Sequence, residues 1–152
     1  MEYKDGLIKE WKHKGRKCVI LWVRDHFCAY VETKLKDVDY SQEFGSYETS
    51  PESNIDAHGG LTFSGELKDL DDGVYYFGCD YAHAGDYCEG LWEKEGTYKW
   101  TLKEVEEETN KMCGSIISYE KTYQKYKEAF ERFEKEVKGI SQDNAEAKEE
   151  DK

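Results

Sequence analysis

Proline, long apolar runs and paired cysteines are scarce or absent in this chain of 152 residues, which has a single proline. No stretch reaches the roughly 18 consecutive apolar residues of a transmembrane helix, and the first residues lack the apolar segment of a secretion signal. The five cysteines include no Cys-x-x-Cys pair, which argues against a zinc site or a disulfide framework. We therefore expect a cytoplasmic protein whose thiols are reduced and mostly buried.

Apolar residues are also sparse, at 38% of the chain, whereas charged residues make up 37% and aromatic residues 14%. The core must then depend on large rings, including those of twelve Tyr, which pack well and leave hydroxyls that need partners. The length fits one domain.

Positive charge is deficient, since the net charge is −12. Residues 37–100 carry three Lys/Arg against fifteen Asp/Glu, whereas residues 1–36 carry nine against five. Binding to nucleic acid gains most of its affinity from phosphate neutralisation, so general nucleic-acid binding is not expected. A basic segment with Lys12, Lys14, Arg16 and Lys17 is either a solvated lead into a strand or an aid in binding the phosphates of a small ligand.

Four strands are predicted from apolar and β-branched runs. Residues 17–23 and 26–32 flank a short polar turn and predict a hairpin, and the first run is apolar on both faces, as in a strand that is covered on both sides. Residues 61–66 and 74–80 are two further strands, separated by the turn signal Asp71-Asp72-Gly73. Residues 33–54 read as a long polar connection, a type of segment that is often functional.

A heptad spacing of apolar residues runs from Leu102 to Val137 and predicts about 37 helical residues, roughly 55 Å long. Gly114-Ser115 either splits this helix into an antiparallel pair, or the helix is continuous and its second half projects and forms a homo-oligomer. The predicted fold class is α+β, with a small, mostly antiparallel sheet and a long C-terminal helix or helix pair. We divide the chain into a mainly β region (1–100), a helical region (101–138) and a disordered acidic tail (139–152).

Histidines and aspartates concentrate in two glycine-bearing segments at the edges of predicted strands. The candidate ligand-binding residues are Asp56, His58, Gly59, Gly60, Thr62, Asp80, His83, Asp86 and Trp92. Glycines allow close approach of the backbone to a ligand, and loops at the end of a sheet commonly carry function. Trp92 lies just past the second segment and is expected to face the ligand.

Two types of chemistry suit this cluster, and a third interpretation gives it only a structural role. His58, Asp80, His83 and Asp86 are candidate ligands for a divalent metal such as Zn²⁺, Mn²⁺ or Fe²⁺. Without a metal, His58 and His83 are candidate catalytic residues that form an acid–base pair near neutral pH. The third interpretation is that Asp, Gly and His only fix the loops. Phosphate-binding loops with Gly-Lys-Ser/Thr, Gly-x-Ser-x-Gly elbows and His-Glu-x-x-His motifs are absent from the sequence.

The elements HGGLTFSG (58–65) and FGCDYAHAGD (77–86) resemble a family of small proteins that are encoded in bacteriophages and prophages. Its members carry His-Gly-Gly-Leu-Thr-aromatic-Ser-Gly followed by Phe-Gly-Phe-Asp-x-Ala-His-x-Gly-Asp, and the likeness covers roughly residues 17–100. Cys79 stands here in place of the usual aromatic residue, a change that affects packing more than polar chemistry. The resemblance implies an accessory protein that acts in the infected bacterial cell, with an anti-defence role as a reasonable hypothesis.

The leading functional hypothesis is that the protein binds and sequesters a small phosphate-bearing or nucleotide ligand. The alternative is a hydrolase, such as a metal-dependent phosphodiesterase, that acts on such a ligand through the same cluster. A second alternative is a protein that inhibits a host defence enzyme through its acidic surface. The residues leave the choice between binding and turnover open.

Overall fold

The structure is a computed structural model that describes residues 3–88 and 96–150, with residues 141–150 described by their backbone. The strands are β1 (Gly6–His13), β2 (Arg16–Val23), β3 (His26–Glu32), β4 (Phe63–Glu66) and β5 (Tyr75–Asp80), and the helices are α1 (Pro51–Asn54) and α2 (Leu102–Glu150). All neighbouring strands are antiparallel, in the order β1-β2-β3-β5-β4. This architecture confirms the predicted α+β class with an antiparallel sheet and a long C-terminal helix.

The hairpin predicted over residues 17–32 is formed by β2 and β3, which pair from Cys18 opposite Val31 to Val23 opposite His26. β2 lies inside the sheet, and its side chains are buried on both faces. Ile20 belongs to the core between the sheet and α2, whereas Val19 packs with Tyr76 in a second core on the opposite face. The double-sided apolar pattern therefore correctly predicts a covered strand.

Strand β1 was not predicted from the sequence. It pairs with β2, and the register shifts between Leu7 and Lys9. Such an irregularity places consecutive side chains out of strict alternation, so the period of two that identifies a strand is interrupted. The basic residues 12–17 therefore span the end of the edge strand β1, a turn and the start of β2.

The connection over residues 33–54 is folded onto α2. It contains a 3-10 turn at Tyr47–Thr49 and the short helix α1, where the Ser50 hydroxyl accepts a hydrogen bond from the Ser53 amide. Phe44 packs against Tyr123, with 5.2 Å between ring centroids. The long connection thus covers the apolar side of the helix next to the sheet.

Helix α2 is continuous through Gly114, so the alternative of an antiparallel helix pair is wrong. A capping box starts it: the Glu104 amide donates to the Thr101 hydroxyl, and the Thr101 amide donates to the Glu104 carboxylate. Buried neighbours on the sheet side, such as Met112 and Ile116, hold the helix in place around the glycine. Packing therefore outweighs the weak helix propensity of a single glycine.

One buried ion pair joins the middle of α2 to the sheet. Arg16 at the start of β2 donates from both terminal nitrogens to the carboxylate of Glu120, and both side chains are about nine-tenths buried. The Glu120 carboxylate also accepts from the Thr33 hydroxyl at 2.8 Å and from the Lys34 amide at 2.7 Å. Four hydrogen bonds thus compensate this charge for its removal from water.

The part of α2 beyond Phe130 leaves the sheet, because every side chain from residue 131 to 140 is exposed. The backbone is helical through Glu150, where the sequence predicts a disordered tail from residue 139, and disorder of this tail in solution stays a prediction. Within the described residues, no helix is both long and apolar enough to cross a membrane.

Candidate functional site

The His58 loop and the Asp80–Asp86 loop meet at one end of the sheet. The first loop precedes β4, and the second follows β5, its antiparallel partner, so the two strands bring the loops together. Gly59 lies under the ring of His83: a Cβ at Gly59 would be 2.5 Å from the ring nitrogens, and its φ is +68°. Glycine is therefore required for the close approach of the two loops.

Asp86 is the centre of the polar cluster and is only 4% exposed. Its Oδ2 accepts from His58 Nε2 at 2.7 Å and from the backbone amide of His83 at 3.0 Å. Its Oδ1 accepts from Trp100 Nε1 and from His58 Nε2, both at 2.9 Å. Both carboxylate oxygens are thus saturated with donors from three parts of the chain.

The surroundings of Asp86 favour its ionised form. Burial by itself raises the pKa of this carboxyl, but the hydrogen bonds from His58, the His83 amide and Trp100 outweigh burial and hold the pKa below its ordinary value of 3.8. A carboxylate can only accept hydrogen bonds, so His58 carries its proton on Nε2.

Aromatic rings contact His58 in addition to the Asp86 carboxylate. Its imidazole stacks on Tyr81 with 4.2 Å between centroids and 2° between planes. Trp100 meets the same two rings edge-on, at 4.9 Å from His58 and 5.1 Å from Tyr81. The cluster therefore fixes the positions of Tyr81 and Trp100.

Asp80 and His83 form the outer part of the cluster. The Asp80 carboxylate accepts from the Ala82 amide at 3.1 Å and from the Thr62 hydroxyl at 3.3 Å. His83 Nδ1 lies 3.5 Å from Asp80 Oδ1 and 3.7 Å from Asp86 Oδ2, and this buried nitrogen has no hydrogen-bond partner in the part of the chain that the structure describes. The outer part is less completely paired than the centre.

The structure brings most of the predicted site residues together: His58, Gly59, Thr62, Asp80, His83 and Asp86. Gly60 lies beside them, with its amide bonded to the Ala57 carbonyl. Asp56 and His58 both line a separate groove, together with Glu52, Glu108 and Lys111. Trp92 lies outside the described residues, so its expected role facing the ligand is untested.

The residue types of this cluster suit a metal ion, but its hydrogen bonds do not. His58, His83 and Asp86 each offer one ligand atom, and these atoms lie within 4.8 Å of one another. However, the lone pairs of Asp86 are taken by N–H donors, and His58 presents a proton to Asp86 where a metal would need its lone pair. The geometry therefore favours a hydrogen-bonded brace over a metal centre.

An aromatic cavity of about 460 Å³ adjoins the polar cluster. Its rings are those of Tyr3, Trp22, Phe27, Tyr81, Tyr87 and Trp100, and its polar residues are Arg24, Asp25, His26 and Lys99. Tyr81 and Trp100 belong to both features, because one side of this ring pair contacts His58 and the pair also lines the cavity. The polar cluster thus acts as the rigid backing of the cavity.

Two cations lie in the lining of this aromatic cavity. Lys99 Nζ lies 5.3 Å above the ring of Tyr87, in cation–π contact, and Arg24 is in the β2–β3 turn. Across residues 3–88 and 96–150, neither cation forms a salt bridge. No carboxylate of the described residues therefore neutralises their charges.

Neither this cavity nor its two cations was predicted from the sequence, in which the basic residues 12–17 were the candidate aid to phosphate binding. Arg16 is committed to Glu120, and Lys17 is paired with Glu10 at 3.0 Å and Asp72 at 2.7 Å. The two cations of the cavity are isolated in sequence from each other, so no local charge pattern reveals them. The Arg24-Asp25 turn was recognised only as a turn.

Searches of protein-family models, of curated proteins and of solved structures found no match to this chain.

Proposed function

We propose that the protein binds and sequesters a small phosphate-bearing ligand of the nucleotide type in the aromatic cavity. The observation that supports this proposal most is the combination of six rings with two cations, Arg24 and Lys99, that form no salt bridge within residues 3–88 and 96–150. A flat heterocycle can stack on the rings, at about 1–3 kcal/mol per base. The phosphate then meets the two cations through charge-assisted hydrogen bonds.

The dimensions and charge of the protein agree with a small ligand. A volume of about 460 Å³ lies within the usual range for small-molecule sites. The net charge of −12 repels long nucleic acids, whose binding depends on many phosphate contacts. Two cations in an acidic protein therefore favour a ligand with few phosphates over a polymer.

Binding is favoured over hydrolysis by the positions of His58 and Asp86. A general base must reach the proton that it removes, whereas neither His58 nor His83 lines the aromatic cavity. His58 also stacks on Tyr81 and donates its Nε2 proton to Asp86. The acidic-inhibitor alternative has no comparable cavity or side-chain geometry behind it. We therefore assign these two residues a positioning role.

The cellular setting of the proposal depends on the sequence resemblance alone. It places the protein in the cytoplasm of a bacterium infected by a phage, where sequestering a nucleotide signal would serve an anti-defence role.

The test is a calorimetric titration of the full-length protein. The ligands are nucleoside mono-, di- and triphosphates, cyclic nucleotides and inorganic phosphate. Arg24→Gln and Lys99→Gln each remove one cation, and Lys125→Gln removes an exposed cation of α2 as the matched control. We expect each cavity variant to weaken nucleotide binding by about tenfold or more, because a charged hydrogen bond contributes about 1.5–3 kcal/mol.

The control should bind like the wild type. No binding by any compound in the panel, or affinities that are equal in the wild type and both cavity variants, would refute the proposal. Release of product during the titration would instead favour the hydrolase alternative.

A further inference from the structure

The end of α2 that leaves the sheet still carries an apolar stripe. We call residues 131–140 the projecting segment, since all their side chains are exposed. Phe133, Val137 and Ile140 are 60%, 44% and 62% exposed, and they continue the spacing of the seam that is buried earlier in the same helix. The stripe thus extends a packing surface past the domain that uses it.

A helix that projects in this way is poorly stable on its own. From residue 131 to Glu150 it has about 20 residues, or roughly 30 Å, and such helices are marginal in water without packing. Gly139 lowers the helix propensity of this segment further. Packing of the apolar stripe against a partner would stabilise the helix.

The charge of this region indicates which partner fits. The projecting segment holds three basic residues (Arg132, Lys135 and Lys138) and three acidic ones (Glu131, Glu134 and Glu136), so its net charge is zero. The whole chain has a net charge of −12, so two copies repel each other overall. This neutral segment is a surface on which two copies can meet without like-charge repulsion.

We infer that the projecting segment pairs with the same segment of a second copy, as a short two-stranded coiled coil. The stripe has the 3-4 spacing that such pairing requires. A two-fold arrangement places the same apolar side chains of both copies in one contact, which satisfies both stripes at once. Three apolar positions per copy make a small interface, so we expect a dissociation constant on the order of tens of micromolar.

The test is sedimentation equilibrium of the full chain from about 5 to 500 μM, a range that spans weak interfaces. We expect the mass to rise with concentration from 17.8 kDa towards twice that value. The double variant Phe133→Gln/Val137→Gln should weaken the dimer at least tenfold. The control Glu128→Gln/Lys135→Gln lies on the opposite side of the helix, leaves the net charge unchanged and should dimerise like the wild type.

Both substituted apolar residues are exposed, so the folded monomer should keep its urea midpoint, which shows that the variant is folded. A wild type that stays monomeric at every concentration overturns the inference. So does a dimer that survives the double variant, because its interface must then lie elsewhere, and so does equal weakening in the control.

Discussion

His58 Nε2 lies 2.7 Å from one oxygen of Asp86 and 2.9 Å from the other, so a single imidazole proton is shared by both oxygens of a buried carboxylate. This contact crosses between the two loops at the end of the sheet. It also holds the His58 ring against Tyr81, which lines the aromatic cavity. The pair therefore links loop stability to the shape of the cavity.

Asp86→Asn should destabilise the fold by about 2–3 kcal/mol, because one acceptor oxygen becomes an amide that faces buried N–H donors. Equilibrium unfolding in urea measures this loss. Asp80→Asn is the matched control, since the Asp80 side chain is 31% exposed and should cost less than about 1 kcal/mol. Equal losses in the two variants would show that Asp86 is not the centre of the cluster.

Gly59→Ala should destabilise the protein by about 1–3 kcal/mol, because the added methyl group meets the His83 ring. Gly60→Ala is the control: Gly60 also has a positive φ, of +90°, but nothing lies within 4 Å of its Cβ position. Thermal unfolding of both variants separates the clash from backbone strain. A larger loss of stability in Gly60→Ala than in Gly59→Ala would contradict the clash with His83 as the main cause.

Acid should weaken the anchor between Arg16 and Glu120. Burial raises the pKa of the Glu120 carboxyl, but the hydrogen bonds from Arg16, the Lys34 amide and Thr33 together hold the pKa below its ordinary value of 4.5. A group whose folded pKa is lowered contributes stability above its unfolded pKa and loses it as the pH falls through the folded value. The contribution is therefore complete above about pH 4.5 and declines below it.

Urea midpoints of wild type and Glu120→Gln between pH 7 and pH 3 test this dependence. At pH 7, the variant should be less stable by about 3 kcal/mol, because Arg16 stays buried without its charged partner. The difference should shrink as the pH falls below 4.5. Glu128→Gln, at an exposed position of the same helix, should follow the wild type, and a constant difference across the range would contradict the assignment.

Removal of metal should leave the thermal stability of the protein unchanged if Asp86 is a hydrogen-bonded brace. We expect the purified protein to hold less than one equivalent of any transition metal and its thermal midpoint to be unchanged by a chelator. Elemental analysis and thermal scans with added Zn²⁺ or Mn²⁺ measure this. A stoichiometric metal that disappears in His83→Ala would contradict the brace and revive the metal-dependent alternative.

The sequence predicts the parts of the sheet whose strands are uninterrupted apolar runs. β2 and β3 have such runs on either side of a short turn, and their pairing is as expected. β1 is missed because its register shifts between Leu7 and Lys9, which interrupts the pattern. Local periodicity identifies a strand only where the backbone itself is regular.

The candidate site divides in the same way. The grouping of His58 with Asp86 follows from two loops at strand ends, which a sequence can indicate. The role of Trp100, which donates to Asp86 at 2.9 Å, depends on a chain that returns to the sheet just before α2. Such a return is a tertiary event, so neither this bond nor the cavity between Arg24 and Lys99 has a local signal.

The ion pair between Arg16 and Glu120 also settles a question of position along the axis of α2. A seam that repeats every seven residues looks nearly the same after a slide of one heptad, so apolar packing alone leaves several settings close in energy. A slide of one heptad in either direction would place Cys113 or Lys127 opposite Arg16 and leave its guanidinium buried without a carboxylate. This charged contact, some ten residues before the helix emerges, therefore disfavours the neighbouring settings and so helps to set the length of helix that extends past the sheet.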